Sequence, residues 1–457
     1  MKKMFHLISI LCIAAMLLMA CGKKQDTTGS DTGADTQGDT TAETSSGEAG
    51  AEAALRFSWW GADTRHKPYL ATFDLYKQSH PNITVAGEYQ AWDGFQEKLI
   101  TELSGGTEPD IMTLDAPWVN ELATRSDYFV DLYSQDILDY SGIDEQFMKD
   151  YGEVNGKLVA IPLGQQCTSL IINKTAADKY GIDVSEDKVF SYDDLMTIGT
   201  QLHSENPDAY LLNSDSGSVF IMATSMLKQL SGNQIFTDDY QIGFSKENLL
   251  EVYTWIANAY QAGVMEPLGD AELFFGTRET NPKWVNGELV ATLDWNGTTI
   301  RYISTLQEGS EIICRTYPTV GDAAKDGSVI MRPIFMGAVS NNSQNKDAAL
   351  EFLNWFINSD EAAVSLGSSK GVAATESQIK VQDSQGVVDA SVVEGLNYGL
   401  KGSPSQKENA LTTNTELSSL FTDEVAKLAY GEVSPEDGVE ETFSMLEGKL
   451  GQLKSAK

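Results

Sequence analysis

Leu55-Arg56-Phe57-Ser58-Trp59-Trp60-Gly61 reads as a buried strand, rich in aromatic residues and closed by a glycine. Downstream, Pro68 suits the first turn of a helix carrying Leu70, Phe73 and Tyr76. That helix must stop before His80-Pro81, because the residue ahead of a proline is pushed out of the helical region. Ile83 to Ala86 forms a second strand, and Asp93-Gly-Phe-Gln96 has the spacing of a capping box. Phe95, Leu99 and Leu103 follow on one helical face, and Gly105-Gly106 ends the helix. Asp110-Ile-Met-Thr-Leu114 is a third strand, with Asp115 as N-cap and Pro117 at the start of the next helix. Strand and helix alternating in this way predict an α/β fold built on a parallel, doubly wound sheet. Farther along, Ser191-Tyr-Asp-Asp194 is another capping box. Ser434-Pro435 opens a C-terminal helix with Val439, Phe443, Leu446, Leu450 and Leu453 on one face.

The rest of the chain sets bounds. It has 457 residues, 41% hydrophobic and 9% aromatic, a globular composition long enough for two domains. With 32 Lys+Arg against 66 Asp+Glu, the net charge is −34. Nucleic acid is excluded as a partner, because phosphate neutralisation needs a basic surface. Residues 1–20 read as an export signal: Lys2 and Lys3 precede an apolar run from Leu7 to Ala20, shorter than the roughly 20 residues that span a bilayer. Residues 21–54 follow as an acidic tether. From Gly22 to Ala54 the chain holds no aromatic residue and no Val, Ile, Leu or Met, so it has nothing with which to build a core.

Two resemblances add to this. Leu18-Met19-Ala20-Cys21 resembles a bacterial lipobox, which implies a lipidated Cys21 and a membrane contact through that anchor only. Along residues 55–457, an ordered series of motifs resembles the sugar-binding lipoproteins of bacterial ABC importers (solute-binding protein family 1, maltose-binding-protein-like). The motifs are Phe57 to Gly61, Gly105-Gly106-Thr-Glu-Pro109-Asp110-Ile111-Met112, Asn155-Gly156-Lys157 to Pro162, Ile172-Asn173-Lys174, Asn286-Gly287 to Ala291 with Asp294-Trp295, and Lys346-Asp347-Ala348-Ala349 to Phe356. The resemblance implies a two-lobed periplasmic-binding-protein-like fold, each lobe a doubly wound sheet with flanking helices and the ligand cleft between them. Carried over, residues 55–164 with 336–370 make lobe one, and 165–335 with 371–457 make lobe two. The chain would cross near Leu163–Cys167, Pro333–Gly337 and Ser369–Ala373. The implied protein is a monomeric receptor on the extracellular face of the cytoplasmic membrane, which delivers an oligosaccharide to ABC permease transmembrane subunits.

Sugars offer C–H faces to aromatic rings and adjacent hydroxyls to carboxylates and amides. A tryptophan recurs within three residues of a carboxylate: Trp60 with Asp63, Trp92 with Asp93, Trp118 with Asp115, and Trp295 with Asp294. Most of these follow a strand, where ligands of open α/β sheets lie. Each also has a plainer reading, as core tryptophan or as helix cap. Arg65-His66-Lys67 offers a cation for an acidic sugar, although a solvated loop with Arg65 pairing Asp63 is the simpler expectation. Gln165 and Gln166 lie at the first crossover, where the family often places a ligand contact, and Asn213 and Asp215 sit in a serine-rich loop of lobe two. His80 and His203 read as surface residues. Cys167 and Cys314 both fall in lobe two, where two buried thiols are expected and a disulfide stays open.

No catalytic residue, metal site or cofactor is assigned. S-x-x-K occurs at Ser185, Ser225, Ser343 and Ser377, but its companion motifs S-D-N and K-T-G are missing. A membrane-anchored glycoside hydrolase is the serious rival, since it too needs tryptophan platforms and two carboxylates. A receptor of the same fold for a non-sugar solute is the third reading.

Overall fold

A computed structural model describes residues 52–455 apart from 62, 93, 322–328, 402–408, 410 and 413. Its first part alternates β1 (Ala53–Trp60), α1 (Asp63–Ser79), β2 (Ile83–Gln90), α2 (Phe95–Gly105), β3 (Ile111–Leu114) and α3 (Ala116–Arg125). β1 lies between β2 and β3 and is parallel to both, with Ala53 opposite Ile83 and Phe57 opposite Ile111. The parallel, doubly wound reading of this stretch therefore holds. Three local details differ. β1 already includes Ala53 and Ala54, because Ala53 N–H reaches the Asn82 carbonyl at 2.9 Å. α1 starts at Asp63, so Pro68 lies inside the helix rather than in its first turn and brings no N–H to the Thr64 carbonyl. α2 starts at Phe95 with Gly94 as N-cap and no side-chain cap bond; Asp93 lies outside the described residues.

β4 (Glu153–Val154) and β5 (Lys157–Leu158) form a small hairpin. Its turn holds Asn155 at φ 53° and Gly156 at φ 77°, the left-handed pair that Asn-Gly tolerates. β6 (Ile161–Asn173) is the spine of the molecule, followed by β7 (Tyr210–Leu212), β8 (Leu289–Trp295), β9 (Ile312–Arg315), β10 (Met331–Val339) and β11 (Val372–Ala373). The first half of β6 runs antiparallel to β10, pairing Ile161 with Gly337 and Cys167 with Met331. Its second half runs antiparallel to β8 and β9, pairing Thr168 with Trp295 and Asn173 with Ile312. β10 also pairs with β3, and β7 runs parallel to β8, so the whole sheet is mixed.

β6 thus serves two cores. One packs Phe57, Trp59, Tyr69 and Phe73 against Phe352 and Phe356 of the helix Lys346–Asn358. The other packs Met222, Phe236 and Tyr253 against Phe421 and against Val439, Leu446 and Leu450 of the C-terminal helix Pro435–Ser455. That helix starts where Ser434-Pro435 indicated, and Ser191 and Asp194 close the expected capping box. Between the cores, Pro333 of β10 and Val372 of β11 both lie opposite Gln165, which brings three chain segments together at one place.

Candidate functional site

Strand direction decides which edge of each lobe faces the crossing segments. Leu114 ends β3 opposite Met336 of β10, and Trp60 ends β1 beside it. In the other lobe β8 ends at Trp295, opposite Thr168, directly after the crossing residues Gln165 to Cys167. β7 is parallel to β8 and points the same way. Both lobes therefore turn the carboxyl ends of their strands toward the crossing, where open α/β sheets bind ligands.

Lobe one brings an aromatic cluster to this edge. The Trp60 ring lies 4.7 Å from Phe335, 5.1 Å from Trp92, 5.2 Å from Phe95 and 5.4 Å from Trp118, and the residue is only 8% exposed. Trp92 stacks on Trp118 at 5.1 Å yet stays 48% exposed, so one of its faces is open. Arg65-His66-Lys67 is not a loop but part of α1, and Arg65 does not pair with Asp63. Asp63, fully at the surface, meets Lys67 at 3.6 Å. Arg65 instead places its guanidinium 4.3 Å over Phe335 and donates to the carbonyls of Trp60 and Ser369, both at 2.9 Å. Burial lowers its pKa. His66 is buried and accepts from the Trp59 indole at 3.1 Å.

At the crossing, Asp115 caps α3 by accepting from Ala116 N–H at 3.1 Å, as the sequence indicated. Its carboxylate also accepts from Arg332 of β10 at 2.8 Å, and the Arg332 guanidinium lies 5.5 Å from the centre of the Trp295 ring. Asp115 of lobe one, Arg332 of the crossing strand and Trp295 of lobe two thus form one continuous line. Gln165 is buried and spends its amide on the Ala373 carbonyl at 3.1 Å, tying β6 to β11. Gln166 is half-buried, opposite Arg332 in register.

In lobe two the expected carboxylates meet an arginine that sequence reading missed. Asp215 caps the helix Ser216–Ser231 and receives a bidentate pair from Arg278 Nε and Nη2. Asp294 accepts from the same guanidinium at 3.0 Å and from the Tyr302 hydroxyl at 2.9 Å. Burial alone would lower the Arg278 pKa, but the Asp215 hydrogen bonds and both carboxylates raise it. Asn213 turns to Glu266 at 3.2 Å, a carboxyl that burial pushes up and that Asn281 holds at 2.9 and 3.1 Å. Arg278 therefore joins Asp215 to Asp294, the residue before Trp295, while Asn213 is tied to Glu266. Arg278 and Arg332 escaped sequence reading because their carboxylate partners Asp215 and Asp115 lie 63 and 217 residues away.

Cys167 and Cys314 are separate buried thiols, each raised in pKa by burial. His80 and His203 are half-buried rather than on the surface, His80 stacked on Tyr76 and His203 bonded to the Ala209 carbonyl at 3.0 Å. Among the described residues, no group of three His, Cys, Asp or Glu is placed to hold a metal ion, and no helix is long and apolar enough to cross a membrane. Cys21 and the export segment lie outside the described residues.

Comparison with known proteins places this geometry. A carbohydrate ABC transporter substrate-binding protein of Streptococcus pneumoniae is 24% identical over 283 residues, 58% of this chain. The match spans 54% of that relative's length. Among solved structures, a periplasmic solute binding protein of Pectobacterium atrosepticum is 25% identical with a TM-score of 0.77, covering 88% of this chain and 99% of its own. An oligogalacturonide binding protein of Yersinia enterocolitica, in complex with saturated digalacturonic acid, is 24% identical with a TM-score of 0.73 and the same coverage. These likenesses carry the two-lobed fold. Residues 71–379 match the model of the bacterial extracellular solute-binding proteins, and the chain belongs to that family.

Proposed function

We propose that this protein is the substrate-binding component of a carbohydrate ABC importer, capturing an oligosaccharide outside the membrane and passing it to the permease subunits. The observation that carries this reading is the line from Asp115 through Arg332 to Trp295, with Trp60, Trp92 and Trp118 beside it. It sets aromatic faces next to charged hydrogen-bonding groups from both lobes, the combination a pyranose needs. The Streptococcus relative is named for carbohydrate import, and the Yersinia protein binds a digalacturonic acid; both support a sugar.

In this reading Trp92 and Trp295 stack on sugar faces, Trp60 and Trp118 back them, and Asp115, Arg332 and Gln166 meet hydroxyl or carboxylate groups. Asp63 belongs to the rim. Arg65, Gln165, Asn213, Asp215 and Asp294 shape the site through the frame they hold. The hydrolase alternative is disfavoured on chemistry. Asp115, Asp215 and Asp294 are committed to guanidinium partners, and Asp115 and Asp215 to helix-capping N–H groups as well, which leaves none of them placed to act as a general acid. The test is calorimetric titration against neutral and acidic oligosaccharides, with chromatography of the glycan afterwards. Stoichiometric binding of unchanged glycan is expected. Shortened products would overturn the receptor reading, and so would failure of the folded protein to bind any of them.

The segment Leu18 to Cys21, ahead of an acidic tether, supports a lipid anchor on Cys21 that holds a monomeric receptor at the extracellular face of the membrane. Cys21→Ala should release the protein into the medium or leave it unprocessed. A processed variant fully retained in membranes would count against lipidation.

A further inference from the structure

We infer that Phe275 is a second aromatic platform on the lobe-two wall, receiving a sugar ring beyond the one at Trp295. The inference rests on the carbohydrate reading above and extends it to ligand length. Phe275 is 58% exposed, and among the described residues it stacks on no other ring. Single exposed apolar residues are common and mean little alone. What sets Phe275 apart is how firmly it is held and where.

The loop is fastened on both sides of the ring. Before it, Glu272 accepts from Ser216 N–H at 2.6 Å; after it, Arg278 grips Asp215 and reaches Asp294, the residue preceding Trp295. The ring edge and the guanidinium both close on Gly217, the second residue of the helix Ser216–Ser231. A Cβ at Gly217 would lie 3.1 Å from Phe275 Cε2 and 2.9 Å from Arg278 Nη2, so the pair is seated where only glycine leaves room. Only three residues separate the end of β7 from the start of that helix, so Phe275 stands at the same strand-end edge as Trp295. An anchored aromatic face beside a guanidinium, on the edge that meets the ligand, fits a pyranose with its C–H face on the ring. With Trp92 and Trp295 each taking a sugar ring in the reading above, a third ring at Phe275 calls for a ligand longer than a disaccharide.

The experiment compares native protein, Phe275→Ala and Phe275→Tyr in calorimetric titrations with maltose, maltotetraose, digalacturonate and tetragalacturonate, alongside thermal melts without ligand. Expected for Phe275→Ala are an unchanged melting temperature, disaccharide affinity within about twofold of native, and about tenfold weaker tetrasaccharide binding in the series that binds, with Phe275→Tyr close to native. If native protein binds a tetrasaccharide and Phe275→Ala binds it equally well, this inference falls while the carbohydrate reading stands. Equal loss for both lengths also overturns it, since the ring would then belong to the primary subsite. If native protein binds neither length of either series, the inference falls together with the assignment to these sugars.

Discussion

Lys370 is fully buried, donates to Gln378 Oε1 at 2.8 Å and lies 5.3 Å over the Phe356 ring; among the described residues no carboxylate pairs with it. Burial penalises the ammonium and pulls its pKa down to about 7. The sign of the effect follows. Between pH 7 and the ordinary lysine value near 10.4, the unfolded chain binds a proton that the folded chain does not, so stability rises with pH across that window. Below pH 7 the whole penalty is present, about 5 kcal/mol. Lys370→Met should therefore raise the denaturation midpoint at pH 7 and flatten the slope between pH 7 and 10. A variant less stable at pH 7 with the slope intact would show that the amine is solvated and charged. Tryptophan substitutions separate by exposure at the same scale. Trp92→Ala and Trp295→Ala should each weaken glycan binding at least about tenfold with little change in melting, because each ring has an accessible face. Trp60→Ala should lose affinity and about 3 kcal/mol of stability together, since four rings close around it. Urea titrations without ligand distinguish the two behaviours. Equal stability losses in all three variants would mean that Trp92 and Trp295 are packing residues.

At the level of elements, local chemistry explains what sequence could and could not convey. β1, β2 and β3 were legible because each apolar run ends at a turn or cap, and Asp115-Ala-Pro117 marks a helix start twice over. The start of α1 was misplaced because proline is tolerated inside this helix; the acidic Asp63 in its first turn was the available sign. β6 carries no local mark of its double role. Its residues are nearly all buried, and only pairing with distant β10 and β8 splits it between two cores. The site follows the same rule. Of the candidate residues, Trp60, Asp115 and Trp295 stand at strand ends and could be found, whereas Arg332, Arg278, Phe335 and Phe275 join them through tertiary contacts alone. The C-terminal helix offers a test at this scale. Leu446 is fully buried against the second core, so Leu446→Ala should cost about 3 kcal/mol in denaturant unfolding while native-like affinity remains. A loss below about 0.5 kcal/mol, typical of surface positions, would mean that this helix is not docked in solution.

For the molecule as a whole, two cores joined where Gln165 meets Pro333 and Val372 should close around ligand as hinge-bending receptors do. Small-angle scattering should show a smaller radius of gyration with saturating glycan, together with a change in tryptophan fluorescence from Trp92 and Trp295. Saturation without either change would refute closure. Besides the Gln165 tie, a second stitch holds the third crossing. Arg65 Nε holds the Ser369 carbonyl while Nη1 holds the Trp60 carbonyl, which fastens the third crossing to the end of β1. The hold continues past the crossing: Thr375 Oγ1 donates to the Ile357 carbonyl at 2.6 Å, Gln378 Nε2 to the Phe356 and Ser359 carbonyls at 3.1 and 2.8 Å, and Glu376 N–H to the Gly142 carbonyl at 2.9 Å, so this connection travels with lobe one through Gln378. With the third crossing held to lobe one, closure should pivot on the paired strands β6 and β10, and lobe two should swing as a rotation rather than slide.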